Sequence, residues 1–440
     1  MRRLALILSL LWLVALSLSA CENLNIHEPS ESEVELESPS YFQAAPLDLK
    51  TPKSPDEMSA DDYQANEKQR SLIAQNASAF ARATLGADEQ QTEANYVYSP
   101  VSTWLCYEMF LGGTSDSIQK DLKEALESQA MTDEAKLQAI LQLSHDYQNA
   151  ESAIQIQNAL FVAEDSQFQA EYLNYAAHFL PALYTIDLEH HAHEVTEKIN
   201  QLINEKTQGL IPRFYQDDLS PSLKSILMNI TSLDAGWLTE FQESETQDGD
   251  FHLEDGSSVQ VPLMHQKISD DMLYAADEKA EYLRKPYQGP ENMILILPRE
   301  GESPQAALEH YLEQRESLDL DPYEVDITLP RFTIESSFDL KGLLSQIGLE
   351  NLFDPAFAHE MAGLLEDKAL FIDSSKQVAK IEVNEKGTRA AAVTDIATRE
   401  SAAMPQETKE VTIRFDRPFA FLIMDGDLVL FQGVVTNPRK

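Results

Sequence analysis

The densest group of side chains that could bind a metal is the run Glu189, His190, His191, His193 and Glu194. Imidazole and carboxylate groups are common ligands of transition metals. Adjacent histidines point in different directions, however, and the run stands directly before a helical pattern. We therefore interpret it as a solvated turn and expect no metal and no cofactor.

Motifs for the common enzyme chemistries are missing from the chain. It has no GxSxG elbow, glycine-rich phosphate loop, HExxH or paired CxxC. Cys106 lies in an apolar stretch without a nearby histidine to activate it, which favours a packed core thiol over a nucleophile. The sequence therefore predicts a protein that is not an enzyme.

Residues 381–404 have a pattern suited to a strand that enters a sheet. Small residues dominate directly after Gly387, so the backbone there is slim. Even positions from 388 to 398 are uncharged, whereas Arg389, Asp395 and Arg399 occupy odd positions. Because alternate residues of a strand share a face, one face could be buried while the other meets water. A polar loop with chance alternation is the alternative.

Helices and strands must position this segment, and their order indicates an α+β fold. Helical apolar spacing covers residues 71–85, 103–111 and 195–205. Short β-rich runs cover residues 154–162, 293–297, 325–329, 419–423 and 428–435. Helices dominate the first half and strands the second, which differs from alternating βαβ units.

The amino terminus reads as an export signal. Arg2 and Arg3 precede an apolar run that ends in small residues before Cys21, as in a lipobox. We predict a signal peptide at 1–20, a lipidated Cys21, a flexible acidic tether at 21–66 and one domain at 67–440. A short transmembrane anchor is the alternative. The protein is expected to be an exported bacterial lipoprotein, membrane-anchored, at the cell surface or in the periplasm or extracellular space.

The chain is strongly acidic, with 74 acidic and 33 basic residues and a formal net charge of −41. A surface of this sign repels phosphate, so nucleic-acid binding is disfavoured. A saline habitat is one explanation for so many carboxylates.

Several separated blocks of sequence resemble the serpin family, in the family's order. They are residues 95–102, 158–162, 199–211, 229–237, 261–264, 285–298, 329–353, 415–421 and 433–438, with Phe251. Matching structural positions are Asn158, Thr207, Gly209, Trp237, Pro418, Phe419, Gly433 and Pro438. The resemblance implies the serpin fold, with helices packed on a large mixed sheet, smaller sheets, an exposed reactive-centre loop at about residues 385–407, and a monomer.

The resemblance also implies a function, that of a serine-type endopeptidase inhibitor acting as a suicide substrate. A protease attacks the loop and forms an acyl-enzyme, and the freed loop inserts as a new central strand. Cysteine proteases could be inhibited in the same way. The native state would then be a kinetic trap. The alternative is a non-inhibitory serpin that acts as a binding module.

Specific loop positions follow from the resemblance. The hinge comprises Glu385, Gly387, Thr388, Ala390, Ala391 and Ala392. Counting seventeen residues from Glu385 inclusive places the scissile bond between Ser401 and Ala402, which suits an elastase-like or subtilisin-like protease. Arg399, which suits a trypsin-like protease, and then Glu400 are the alternatives.

The matching sheet-opening gate consists of Ser99, Ser102, Asn229 and Gln377. Gln377 stands where the family usually has histidine. It could hydrogen-bond Asn229 and Ser99 but does not titrate, so we expect weak pH dependence of sheet opening. Arg389 replaces a usually acidic residue on the solvent side and should not block insertion.

Overall fold

The computed structural model describes residues 39–52, 58–85, 95–128, 133–149, 152–268, 272–366, 369–388 and 409–439. The chain divides into Met1–Ser38, which lies outside these ranges, and a compact unit at Pro39–Lys440. The predicted signal peptide and Cys21 therefore lie outside the described residues. Among the helices in these ranges, none is both long and apolar enough to span a membrane.

The α-helices of the described residues are, in chain order, Ala60–Leu85 (α1), Pro100–Glu108 (α2), Asp116–Ala125 (α3), Asp133–Asp146 (α4), Ala170–Ala176 (α5), Leu188–Lys206 (α6), Pro304–Gln314 (α7) and Leu340–Ser345 (α8). Short 3-10 helices lie at Met109–Gly113, Ala177–Phe179, Glu243–Glu245, Glu350–Phe353 and Pro355–Met361.

The strands of the described residues are, in chain order, Phe42–Ala44 (β1), Tyr96–Tyr98 (β2), Ile154–Ala163 (β3), Ala182–Ile186 (β4), Ser225–Leu233 (β5), Ala235–Gly236 (β6), Gln247–His252 (β7), Ser258–Ile268 (β8), Leu273–Ala276 (β9), Ala280–Pro286 (β10), Glu291–Pro298 (β11), Asp321–Pro322 (β12), Glu324–Pro330 (β13), Phe332–Asp339 (β14), Ser374–Val383 (β15), Gly387–Thr388 (β16), Glu410–Arg414 (β17), Phe419–Asp425 (β18) and Leu428–Val435 (β19).

Three sheets are built from these strands. The eight-stranded sheet runs β1-β4-β3-β5-β15-β16-β6, and β14 pairs along the other edge of β15. A seven-stranded sheet runs β12-β9-β10-β11-β18-β19-β2, and a four-stranded sheet runs β17-β13-β8-β7. In the large sheet β15 is parallel to β5, with Gln377 opposite Asn229, and antiparallel to β14. The predicted α+β class is confirmed.

Helix α6 lies over one face of the large sheet. Its buried Val195, Ile199 and Ile203 belong to one apolar cluster with Phe161 of β3 and Val378 of β15. Apolar residues at these spacings share one helical face, which explains why this stretch forms an amphipathic helix against the sheet. The helix therefore lies over β5 and β3 in the half of the sheet that precedes β15.

The end of α6 explains two of the family-like positions. Thr207 donates a hydrogen bond to the Ile203 carbonyl at 2.8 Å and accepts one from the Ile211 amide at 3.0 Å. Gly209 follows with φ of 77°, a left-handed conformation that glycine adopts without steric cost. The chain thus turns sharply back toward the large sheet.

Two boundaries differ from the sequence predictions at the start of the domain. Part of the predicted tether is structured, because Phe42–Ala44 pairs antiparallel with β4 and Phe42 is buried against the rings of Phe161 and Tyr184. The first helix begins at Ala60 rather than near Ser71. A few apolar residues in an acidic stretch are enough to form this strand, because the edge of the sheet supplies hydrogen-bond partners for its backbone.

Candidate functional site at the hinge and gate

The beginning of the predicted loop is already paired into the large sheet. β16 pairs antiparallel with β15, Thr388 opposite Val383, and with β6, Gly387 opposite Gly236. It therefore occupies the fork where β15 separates from the chain that continues β5. Antiparallel pairing on both sides is the geometry that a further strand in this gap would need.

Gly387 is required at this position by the closeness of the neighbouring strand. A Cβ atom there would lie 2.1 Å from the Ala235 carbonyl oxygen, far inside contact distance. Thr388 is fully buried, and its hydroxyl lies 2.6 Å from the Tyr287 hydroxyl. Both residues thus fit a packed strand rather than a free loop.

Glu385 ties the hinge to Arg331, the residue that joins β13 to β14. Its carboxylate accepts hydrogen bonds from Arg331 Nε at 2.7 Å and from the Thr246 hydroxyl. Burial opposes ionisation, yet these two donors hold the pKa of Glu385 below its usual value. The hinge turn is therefore held by a charge-assisted contact at neutral pH.

The segment from Trp237 to Phe241 holds the other side of the hinge turn. Trp237 donates from its indole Nε1 to the Asn384 carbonyl at 2.9 Å and from its backbone to Lys386 at 2.8 Å. The Phe241 amide donates to the Glu385 carbonyl at 2.9 Å. Three consecutive hinge carbonyls are thus bound by one segment.

The predicted gate residues lie together beneath α2, which crosses β3 and β5. Gln377 Nε2 donates to the Asn229 side-chain oxygen at 2.7 Å and to the Ser99 carbonyl at 2.8 Å, and its oxygen accepts from the Ser99 amide at 2.7 Å. Asn229 donates to Asn158 Oδ1 at 2.5 Å and to the Ser102 hydroxyl. All of these residues are buried, so the network joins β15, β5, β3 and α2 at the sheet centre.

The histidine run lies within α6, and the helix is kinked there because His191 has a non-helical φ of −132° and ψ of 36°. Asp187 caps that helix, accepting from the His190 amide at 3.0 Å, and lies 3.1 Å from the His190 ring. Burial opposes ionisation of Asp187, yet the hydrogen bonds from His190 lower its pKa, and the same contact raises the pKa of His190. Glu164, Asp187 and His190 offer ligand atoms within 4.8 Å of one another, but the contacts describe an ion pair at a helix cap.

Cys106 is fully buried, and burial raises the pKa of its thiol far above the ordinary range. The predicted core thiol is present. Several predicted loop positions lie outside the described residues. They are Arg389, the hinge residues Ala390, Ala391 and Ala392, and the candidate cleavage residues Arg399, Glu400, Ser401 and Ala402.

Most of the remaining family-like positions, Pro438 included, pack into the core, whereas Pro418 is half-buried. Trp237 and Phe419 are fully buried, and a Cβ on Gly433 would lie 2.5 Å from the Tyr96 carbonyl. Sequence reasoning missed Arg331, Thr246, Tyr287 and Lys285. For the first three the signal was weak, because their partners are remote in sequence.

Residues 75–438 match the family model described as Serpin (serine protease inhibitor). Leukocyte elastase inhibitor A of Mus musculus is 29% identical over 369 residues, which cover 80% of this chain and 95% of that protein. Among solved structures, mouse protein-Z dependent protease inhibitor superposes with a TM-score of 0.74 at 22% identity, covering 86% of this chain and 100% of that one. Human thyroxine-binding globulin, in a complex with thyroxine, superposes with a TM-score of 0.71 at 25% identity, covering 85% of this chain and 99% of that one.

The fold, with a paired hinge at the fork of a large mixed sheet, is that of a serpin, as the superposed structures show. The match over most of the chain settles the relationship: this chain belongs to the serpin family.

Proposed function

We propose that the protein is a serine-type endopeptidase inhibitor that acts as a suicide substrate. The observation that carries the proposal is the pairing of Gly387 and Thr388 between β15 and β6, because it places the start of the loop in register for a new strand. After cleavage the loop would add further pairs along the gap, uncharged faces inward. The acylated protease would be carried with it and deformed before water reaches the ester.

The target is proposed to be a serine protease, with cysteine proteases as secondary targets. Cleavage between Ser401 and Ala402 favours an elastase-like or subtilisin-like enzyme, and Arg399 would instead favour a trypsin-like one. The relative named leukocyte elastase inhibitor A supports the first choice. Mass spectrometry of the released carboxyl-terminal peptide distinguishes cleavage after Ser401, Glu400 or Arg399.

The experiment that tests inhibition is incubation of the full chain with elastase, subtilisin and trypsin side by side, followed by denaturing gel electrophoresis. A covalent complex that survives denaturation is expected with at least one enzyme. Cleavage without a complex, and without a gain in heat stability of the cleaved protein, would indicate a non-inhibitory binding module instead.

Thr388→Arg gives a matched test of insertion, because Thr388 is fully buried and a charge there would be desolvated. We expect this variant to be cleaved at the same bond but to form less than a tenth of the complex. Arg389→Thr is the control, since alternation puts that residue on the opposite face, and it should form complex as the wild type does.

The protein is further proposed to be an exported lipoprotein anchored through Cys21, on the basis of the lipobox. Cells that express the full chain and receive radioactive palmitate should label the wild type and not Cys21→Ser. Equal labelling of both would contradict the anchor.

A further inference from the structure

A lysine is completely buried beside the hinge, and none of its partners among the described residues is acidic. Lys285 of β10 has no exposed surface, and its amine donates to the Thr239 carbonyl at 2.9 Å and to the Gln266 side-chain oxygen at 3.2 Å. Both of these partners are neutral. Lysine is almost never fully buried unless it is paired, so this placement needs an explanation.

Two aromatic rings complete the surroundings of this amine. It lies 5.0 Å from the ring centroid of Trp237 and 4.5 Å from that of Phe241. Ring faces attract a cation, which partly compensates an ammonium for lost water. The site thus tolerates both the neutral and the charged amine, with different contacts to the rings.

The residues that surround Lys285 are the same ones that hold the hinge. Trp237 and Phe241 donate the three hydrogen bonds to the carbonyls of residues 384–386. Trp237 also stacks on Tyr287, with ring centroids 4.4 Å apart, and the Tyr287 hydroxyl bonds Thr388. The amine therefore lies at the centre of the packing unit against which the hinge rests.

We propose that Lys285 is a positioning residue for the hinge, and that protonation of its buried amine loosens the Trp237–Phe241 segment and eases release of the hinge residues. The benefit of such release for strand insertion rests on the proposed inhibitory function. The positioning role of Lys285 is independent of that function.

The direction of the pH effect follows from burial. Removal from water lowers the pKa of Lys285 to about 7. In an opened state the amine is hydrated and its pKa returns toward about 10.4. The opened state then binds more protons between these two values, so opening becomes more favourable as pH falls from about 10 to about 7, by at most about tenfold per pH unit. Below about pH 7 both states are protonated and the effect is constant.

The titratable groups on the neighbouring elements have partners of their own or are exposed. On β8, His265 pairs with Asp326 at 2.8 Å and Lys267 pairs with Glu324 at 2.5 Å. Glu240 is exposed. Burial raises the pKa of Tyr287 far above its ordinary value, and Glu385 remains ionised through its contact with Arg331. Within the described residues, Lys285 is thus the group of this unit expected to titrate between pH 7 and 10.

Lys285→Met separates charge from packing, because methionine preserves an unbranched apolar side chain under the rings. The first measurement is the tryptophan emission of the full-length wild type minus that of the variant from pH 6 to 10. Since the other tryptophans are common to both proteins, the difference reports the effect of the amine on Trp237. We expect a sigmoid with a midpoint near pH 7, and no midpoint between pH 6 and 9 would overturn the proposal.

The second measurement is hydrogen exchange of the Trp237 and Phe241 amides, corrected for intrinsic exchange at each pH. In the wild type we expect the opened population to fall at least threefold between pH 7 and 9, and in Lys285→Met to stay constant and low. Lys285→Arg, charged at every pH, should stay constant and high, and it provides an independent test should Lys285→Met not fold. The same pH dependence in wild type and variants would refute the proposal.

Lys409→Met is the matched control. This lysine also lies over a ring, 5.4 Å from the Tyr323 centroid, but it is exposed and paired with Asp321. Its replacement should leave the pH dependence of exchange unchanged. Neither measurement involves a protease, so a failure to inhibit would leave this proposal standing, and loss of the pH effect would leave inhibition standing.

Discussion

Glu385 shows how a single residue can hold the base of the loop in place. Its carboxylate is buried at the hinge turn and receives hydrogen bonds from Arg331 and Thr246, which lie on two other parts of the chain. A hydrogen bond to a charged group contributes about 1.5–3 kcal/mol to stability. Polar contacts at the hinge and gate, surrounded by an apolar core, thus oppose opening of the large sheet.

Glu385→Gln should lower the midpoint of thermal unfolding by about 4 °C at pH 7, because the amide cannot pair with Arg331. Since the pKa of Glu385 is lowered in the folded protein, its stabilisation is present above the unfolded value near 4.5 and lost as pH falls through the lower folded value. The difference between variant and wild type should therefore vanish in strong acid. Glu335→Gln, at a half-exposed ion pair with Lys380, is the control and should change the midpoint by less than about 1 °C.

Gln377→Ala should weaken the gate, because it leaves Asn229 and the Ser99 backbone without their partner in the core. An unsatisfied buried polar group costs about 1–3 kcal/mol. We expect spontaneous conversion to a loop-inserted, inactive form to be at least tenfold faster than in the wild type, followed on native gels at 37 °C. An unchanged rate would show that the gate does not limit sheet opening.

At the scale of elements, β1 is an added strand at the edge of the large sheet. It pairs with β4 and buries Phe42 between the rings of Phe161 and Tyr184, on the face that α6 covers. An edge strand satisfies backbone groups that would otherwise be unpaired. It therefore stabilises this edge of the large sheet.

Phe42→Ala should destabilise this edge by about 3 kcal/mol, as expected for a buried phenylalanine. Hydrogen exchange of the β4 amides should accelerate by at least tenfold, while exchange in β18 and β19 stays unchanged. Leu49→Ala provides the control, because that side chain is 61% exposed and its loss should be neutral. Equal protection of β4 in wild type and Phe42→Ala would mean that the strand adds no stability.

Elements with strong local patterns could be predicted from the sequence, and those that depend on distant partners could not. The strand at residues 428–435 was predicted with its correct bounds because an apolar run follows a turn. The strand at residues 42–44 was missed because its few apolar residues acquire partners only at β4. The gate was recognised through family resemblance, since Ser99 and Gln377 are 278 residues apart. Burial of Lys285 had no local signal, as a lysine in a strand is expected at the surface.

The predicted weak pH dependence of sheet opening considered the gate alone. The side chain of Gln377 does not change its charge near neutrality, in agreement with that reasoning. Lys285, however, lies beside the hinge turn that follows β15, and burial lowers the pKa of its amine to about 7. Measured pH dependence would thus report on the hinge and not on the gate.

The whole molecule combines a large apolar core with a formal net charge of −41. Like charges at this density repel one another and destabilise the compact state. Exposed ion pairs such as Arg213 with Glu197 and Lys409 with Asp321 offset only a small part of this repulsion. Salt should therefore influence the stability of the entire fold.

Raising NaCl from 0.02 to 0.3 M should increase the thermal midpoint by about 5 °C, because the Debye length falls below the spacing of many surface carboxylates. These low NaCl concentrations limit the effect of salt on the hydration of apolar groups. KCl should act equally at equal ionic strength. A midpoint that falls, or stays constant, would indicate that the acidic surface is not self-repulsive.

The pairing of Gly387 and Thr388 has a kinetic consequence for the proposed mechanism. Initiating a strand is usually the slow event, because residues must be ordered before they gain partners. Here initiation precedes the encounter with a protease, so only propagation remains. The fraction of encounters that end in trapping, rather than in release of cleaved protein, would then depend on how quickly propagation passes Gln377 relative to hydrolysis of the ester.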